Sequence, residues 1–144
     1  MKANKTMVRA GFTLVELAVV IVIIGVLAAF AVPRFRASVE RSKAAEAFNY
    51  LSAIQAAQER YHARQGTYAE DTNDLDIQFT APKYFTVGEF AGDDLETGWS
   101  LTLTRTGNAA GYGEYTVIFT EDGFDSTNST IADEDHVDIS PMQT

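Results

Sequence analysis

A chain of 144 residues has room for one domain of ordinary size, and its 46% hydrophobic content would suit a plain globule if it were evenly spread. It is not: Leu17 to Val32 carries no charge, whereas residues 66–144 hold sixteen Asp and Glu against Lys83 and Arg105. Absence of cysteine excludes disulfides, thiolate metal sites and cysteine nucleophiles, and the net charge of -9, concentrated in the C-terminal half, argues against direct nucleic acid binding there, because counterion release needs Lys and Arg.

The chain opens with Lys2, Lys5 and Arg9, continues Gly11-Phe12-Thr13-Leu14-Val15-Glu16, and then runs apolar to Val32. Leu14 to Val32 is close to the roughly 20 residues that a helix needs to cross a bilayer. The leading bases favour a cytoplasmic N-terminus and an exported C-terminal half, although Arg34 and Arg36 beyond the run pull the other way. An uncleaved anchor is one reading of this segment. A secretory signal peptide cut at Ala29-Phe30-Ala31 is another. Neither needs Glu16, a carboxylate that apolar surroundings penalise unless a partner meets it. Cleavage after Gly11 would create such a partner, an ammonium on Phe12 one helical turn from Glu16, within one chain or between two staggered chains.

The run Gly11-Phe12-Thr13-Leu14-Val15-Glu16-Leu17, with a short basic leader before it and about twenty apolar residues after it, resembles the class III signal of type IV pilins and pseudopilins. The resemblance implies an N-terminal leader 1–11 removed by a prepilin peptidase, cleavage between Gly11 and Phe12, N-methylation of Phe12, and a docking role for Glu16 in the growing fibre. It also implies partners: identical or related subunits in a helical filament, the peptidase, and an inner-membrane assembly platform. The subunit is then expected in the inner membrane before assembly and in an extracellular filament afterwards.

Residues 12–33 form the expected membrane or filament-core half of a helix. Pro33 should kink that helix rather than necessarily end it, and Gly25 is a second weak point. The resemblance implies that the stretch between them can unwind in a filament; a plain membrane-helix glycine and a boundary proline are the other reading. Residues 34–65 place Phe35, Val39, Ala44, Phe48, Leu51, Ile54, Ala57 and Tyr61 at amphipathic spacing, with Arg36/Glu40 and Glu40/Lys43 as neighbouring ion pairs of about 0.2 to 0.5 kcal/mol each. Gly66 is the stop signal. The stretch from Tyr61 to Tyr68 also resembles the helix end of many type IV pilins.

A polar connection, 66–83, leads to three β-type runs within 84–121: Tyr84 to Phe90, Trp99 to Arg105, and Glu114 to Glu121. Trp99, Leu101 and Leu103 alternate with Ser100, Thr102 and Thr104, and Tyr115, Val117 and Phe119 with Thr116, Ile118 and Thr120, so each run offers one apolar face. The predicted class is α+β: a long N-terminal helix, amphipathic in its second half, packed against a small antiparallel sheet in an exported head, 34–144. Residues 122–144 read as an acidic, solvated tail. Asp133, Asp135 and Asp138 are weak Ca²⁺ candidates without EF-hand spacing, and no cofactor is otherwise expected. Asn128-Ser129-Thr130 fits a glycosylation triplet.

No catalytic arrangement is legible: His62 and His136 lie far apart in sequence, and there is no phosphate loop or nucleophile elbow. The leading reading is a structural filament subunit, not an enzyme, with adhesion, motility or DNA uptake belonging to the assembled fibre. A pseudopilin of a type II secretion system is the alternative, although the family's usual aspartate-proline-tryptophan-glycine run is missing and Trp99 follows Thr97-Gly98. A secreted soluble binding module, released at Ala31, is the lesser alternative. The C-terminal cysteine pair of large adhesive pilins is absent, which leaves open how the terminal loop is held.

Overall fold

A computed structural model describes residues 11–77, 80–92, 94–107, 111–133, 136 and 139–142. Its contacts divide the chain into two units, Met1–Phe35 and Arg36–Thr144. One helix, α1, runs through Leu14–Gln65. It continues across Pro33, whose missing N–H leaves the Ala29 carbonyl without its intrahelical donor. In the first unit no described residue is buried, because an all-round apolar helix has no polar face to leave outside and no partner here to cover it.

In the second unit α1 buries Glu40, Ala44, Ala47, Phe48, Leu51, Ile54, Ala57 and Gln58, the three- and four-residue spacing of a single helical face. Val39 and Tyr61 are half-buried, and Phe35 is exposed, so the expected apolar stripe begins later than the residue pattern suggested. The expected Glu40/Lys43 pair forms at 3.3 Å. The Arg36/Glu40 pair does not: Glu40 is fully buried and turned towards the sheet, while Arg36 is exposed.

Four antiparallel strands follow in the order β1-β2-β3-β4: Phe85–Ala91, Ser100–Arg105, Thr116–Thr120 and Gly123–Phe124. Short connections between sequential strands make hairpins, which is why the spatial and sequence orders agree. The predicted inward set is confirmed: Trp99, Leu101, Leu103, Tyr115, Val117 and Phe119 are all buried with the helix face in one core. Phe48 meets Phe119 edge-on at 5.8 Å between ring centroids and Phe124 at 4.9 Å. The β1–β2 register shifts between Val87 and Phe90. A Cβ on Gly88 would come within 2.9 Å of the Thr102 carbonyl oxygen, so the bulge depends on a residue without a side chain.

The C-terminal segment is not a solvated tail. β4 returns along β3 through a tight turn, Thr120 opposite Gly123, and Ile131 and Ile139 are completely buried in the core. The edge of β3 is closed by side chains: the Ile118 N–H donates to Ser129 Oγ at 2.8 Å and the Thr116 N–H to Thr130 Oγ1 at 2.8 Å, while Asp125 N–H donates to the Ile118 carbonyl at 2.9 Å. Asp125 in turn accepts from the Thr127 and Asn128 N–H groups and from the Asn128 side-chain amide. These bonds and the two isoleucines hold the terminal loop without a disulfide.

Candidate functional site

At the start of α1 the Thr13 carbonyl accepts from the Leu17 N–H, and the Thr13 hydroxyl accepts from the Glu16 N–H at 3.2 Å. The Glu16 carboxylate reaches back to the Thr13 N–H and hydroxyl, both at 2.8 Å. This is a reciprocal capping box, Thr-x-x-Glu, satisfying helix N–H groups that otherwise have no partner. The Thr-x-x-Glu signature is present in the sequence. In the uncut chain Phe12 contributes only a peptide N–H, and Glu16 is already engaged with Thr13.

Around Glu16 the surface is apolar. Phe12 is 83% and Leu14 84% exposed, and exposed Val, Ile, Leu and Phe side chains continue to Val32. The helix is long and apolar enough to cross a membrane. Gly11 and Gly25 have open space where a side chain would stand.

The head carries a second polar centre, which sequence reasoning missed. Glu40 Oε1 accepts from Arg105 Nε at 2.5 Å and from the Tyr115 hydroxyl at 3.0 Å, and Oε2 accepts from Arg105 Nη2 at 3.2 Å. Arg105 also donates to the Tyr84 and Thr106 carbonyls. Burial by itself raises the Glu40 carboxyl, but the Arg105 and Tyr115 hydrogen bonds and the Arg105 charge outweigh it, and the net shift is downward. The same burial, reinforced by the Glu40 charge, drives the Tyr115 phenol upward. A charge at Glu40, at the start of a mostly apolar helical face, and Arg105 at the end of an alternating inward set were the available signals.

On the outside of the head, Asp76 accepts from Arg60 at 2.9 Å and Arg64 at 3.1 Å, tying the connection to the end of α1. The Arg60 hydrogen bond is the main reason that its carboxyl lies at about 2. His62 is half-buried, stacked on Tyr68 at 4.4 Å. His136 stands against Tyr115 and bonds to the Tyr112 carbonyl, so the two histidines do not share a site. Among the described residues, no three His, Asp or Glu come together as a metal site; Asp133 is exposed, and Asp135 and Asp138 lie outside the described residues.

Two family models match. Residues 6–32 match the prokaryotic N-terminal methylation motif, and residues 33–114 match the model described as type IV minor pilin ComP, DNA uptake sequence receptor. The chain belongs to the type IV pilin family. Among curated relatives, this pilin is 44% identical to fimbrial protein EcpC of Eikenella corrodens over 72% of its own length and 69% of the relative's. It is 42% identical to type IV major pilin protein PilA of Myxococcus xanthus over 45% of its length and 30% of the relative's. The match to type IV major fimbrial protein FimA of Dichelobacter nodosus is 55% identical over 26% of this chain and 24% of that one. No solved structure matches. The pilin is thus a pilus subunit, anchored in the membrane as a precursor through its apolar helix and extracellular once assembled with other pilins.

Proposed function

We propose that this pilin matures by cleavage between Gly11 and Phe12 and N-methylation of Phe12, and that Glu16 then sets its register in the fibre. The observation that carries the reading is the single carboxylate in an exposed apolar helical segment that otherwise has no charge up to Val32. Cleavage converts the Phe12 amide into an ammonium within one turn of Glu16. A neighbouring subunit's ammonium can then compete with Thr13 for the carboxylate, in surroundings where an unpaired charge is strongly disfavoured. The prepilin peptidase and an inner-membrane assembly platform are the partners that this chemistry requires. Gly25 and Pro33 supply weak points where the assembled helix yields under load.

The test combines the mass of the mature chain with the yield of sheared filaments. Gly11→Trp should leave the full-length precursor in the membrane. Glu16→Val and Glu16→Gln should be cut after Gly11 yet assemble poorly, the second separating charge from shape. Normal filament yield from both Glu16 variants, with processing intact, would remove the docking role.

The match over 33–114 favours a second reading, in which the head itself receives DNA. Its charge opposes this. Residues 66–144 hold sixteen acids and two bases, and Arg105 is buried on Glu40. We therefore assign adhesion, motility or uptake to the fibre as a whole, without direct contacts to DNA phosphates from residues 66–144. Salt-sensitive retention of duplex DNA by purified filaments of this subunit alone would reverse the assignment.

A further inference from the structure

Arg34 and Arg36 follow the apolar run directly, and both are exposed. Among the described residues neither has an ion partner, whereas Arg60, Arg64, Lys43 and Arg105 all do. At about 1.5 Å per residue they lie about 3 and 6 Å beyond Val32 along α1. Both therefore fall within a headgroup layer of about 5 to 7 Å once Leu14 to Val32 occupies the hydrocarbon. Two residues apart on a helix, they point about 200° away from each other. A single neighbouring chain cannot meet both, but a surrounding leaflet can. Their side of the membrane is the exported one, where positive-inside statistics disfavour arginine, so their presence calls for a counter-charge.

We infer that Arg34 and Arg36 bind the phosphates of anionic phospholipids in the exported leaflet, fixing the depth of the waiting subunit before it enters a filament. Guanidinium forks match phosphate oxygens, and each basic residue at an anionic surface is worth about fivefold in relative association. Entry into the fibre must break these contacts, so they also set part of the barrier to extraction. The inference rests on the membrane-anchored precursor and not on the Glu16 docking role, and its primary readout is lipid selectivity.

The test uses the full-length chain in phosphatidylcholine vesicles doped with spin-labelled phosphatidylglycerol or spin-labelled phosphatidylcholine, reading the motionally restricted fraction of each. Wild-type protein should select phosphatidylglycerol several-fold, and Arg34→Gln/Arg36→Gln should measurably lower that selectivity, leaving the share carried by Lys2, Lys5 and Arg9 of the leader; Leu17 to Val32 is untouched, so both insert. Lys83→Gln, an exposed base of the head, should leave it unchanged. Equal selectivity in wild type and the double variant would overturn the inference and assign the preference to the basic leader. Loss of selectivity in inorganic phosphate, but not in chloride of matched ionic strength, would identify a free-phosphate site and overturn it too. Unchanged lipid selectivity with reduced filament yield would assign the arginines to an acidic neighbouring chain instead.

Discussion

Replacing Glu40 by alanine tests whether the buried polar centre fastens α1 to the sheet. Glu40 is 0% and Arg105 3% exposed, and the carboxylate takes two hydrogen bonds from Arg105 and one from Tyr115. Glu40→Ala leaves a guanidinium with its carboxylate partner removed and a phenol with no acceptor, in a site that water reaches poorly. Truncating one partner of a buried pair costs about 3 to 5 kcal/mol, against a total stability of about 5 to 15 kcal/mol for an ordinary domain. For a head of this size that lowers the thermal midpoint by roughly 10 to 20 °C. Glu40→Leu combined with Arg105→Met should recover most of the loss, because the apolar pair removes both desolvated charges together. Urea and thermal unfolding of residues 34–144 would measure all three, and a double-mutant cycle isolates the coupling. A loss below about 1 kcal/mol for Glu40→Ala, the range of exposed pairs, would show that Arg105 finds other acceptors and that the reasoning from burial fails. Asp76→Asn serves as the contrast: its pairs with Arg60 and Arg64 are exposed, and the midpoint should barely move.

Residues 34–144 alone should be soluble and folded, with circular dichroism showing both helix and strand, because the segment needing lipid or other helices has been removed; an insoluble or unstructured product would refute the helix-on-sheet head. Ser129→Ala should cost about 1 to 3 kcal/mol, the range for a buried donor left without its acceptor, and should expose the Ile118 amide to hydrogen exchange; unaltered exchange would show that the terminal loop is held by Ile131 and Ile139 alone. Acid should destabilise the head. Glu40 has a carboxyl lowered on folding, so its contribution is fully present above the unfolded carboxylate range and is lost as pH falls through the folded value; Asp76, at about 2, and Asp125 are lowered too but, screened by solvent, add little. Stability that rose on acidification from pH 5 to pH 2 would contradict these assignments.

Much of this pilin was written locally. The apolar run, the leader motif, the three- and four-residue spacing from Ala44 to Ala57 and the alternation through Trp99–Leu103 and Tyr115–Phe119 each depend on the period of one helix or strand, so neighbouring residues carry the signal. The Thr13-x-x-Glu16 box is equally local, both partners lying within one helical turn. Long-range partnership is different in kind. Glu40 and Arg105 are 65 residues apart, and an exposed i,i+4 pair with Arg36 was the natural local choice until the sheet supplied a guanidinium and a phenol at the helix face. The C-terminal segment misled for the same reason. Its many acids describe the surface side of each turn, whereas Ser129, Thr130, Ile131 and Ile139 take their meaning from the open edge of β3 and the gap in the core beside it. An edge strand's unpaired N–H groups and an unfilled apolar volume exist only after the sheet has formed on the helix, and so only the tertiary structure could decide what closed them.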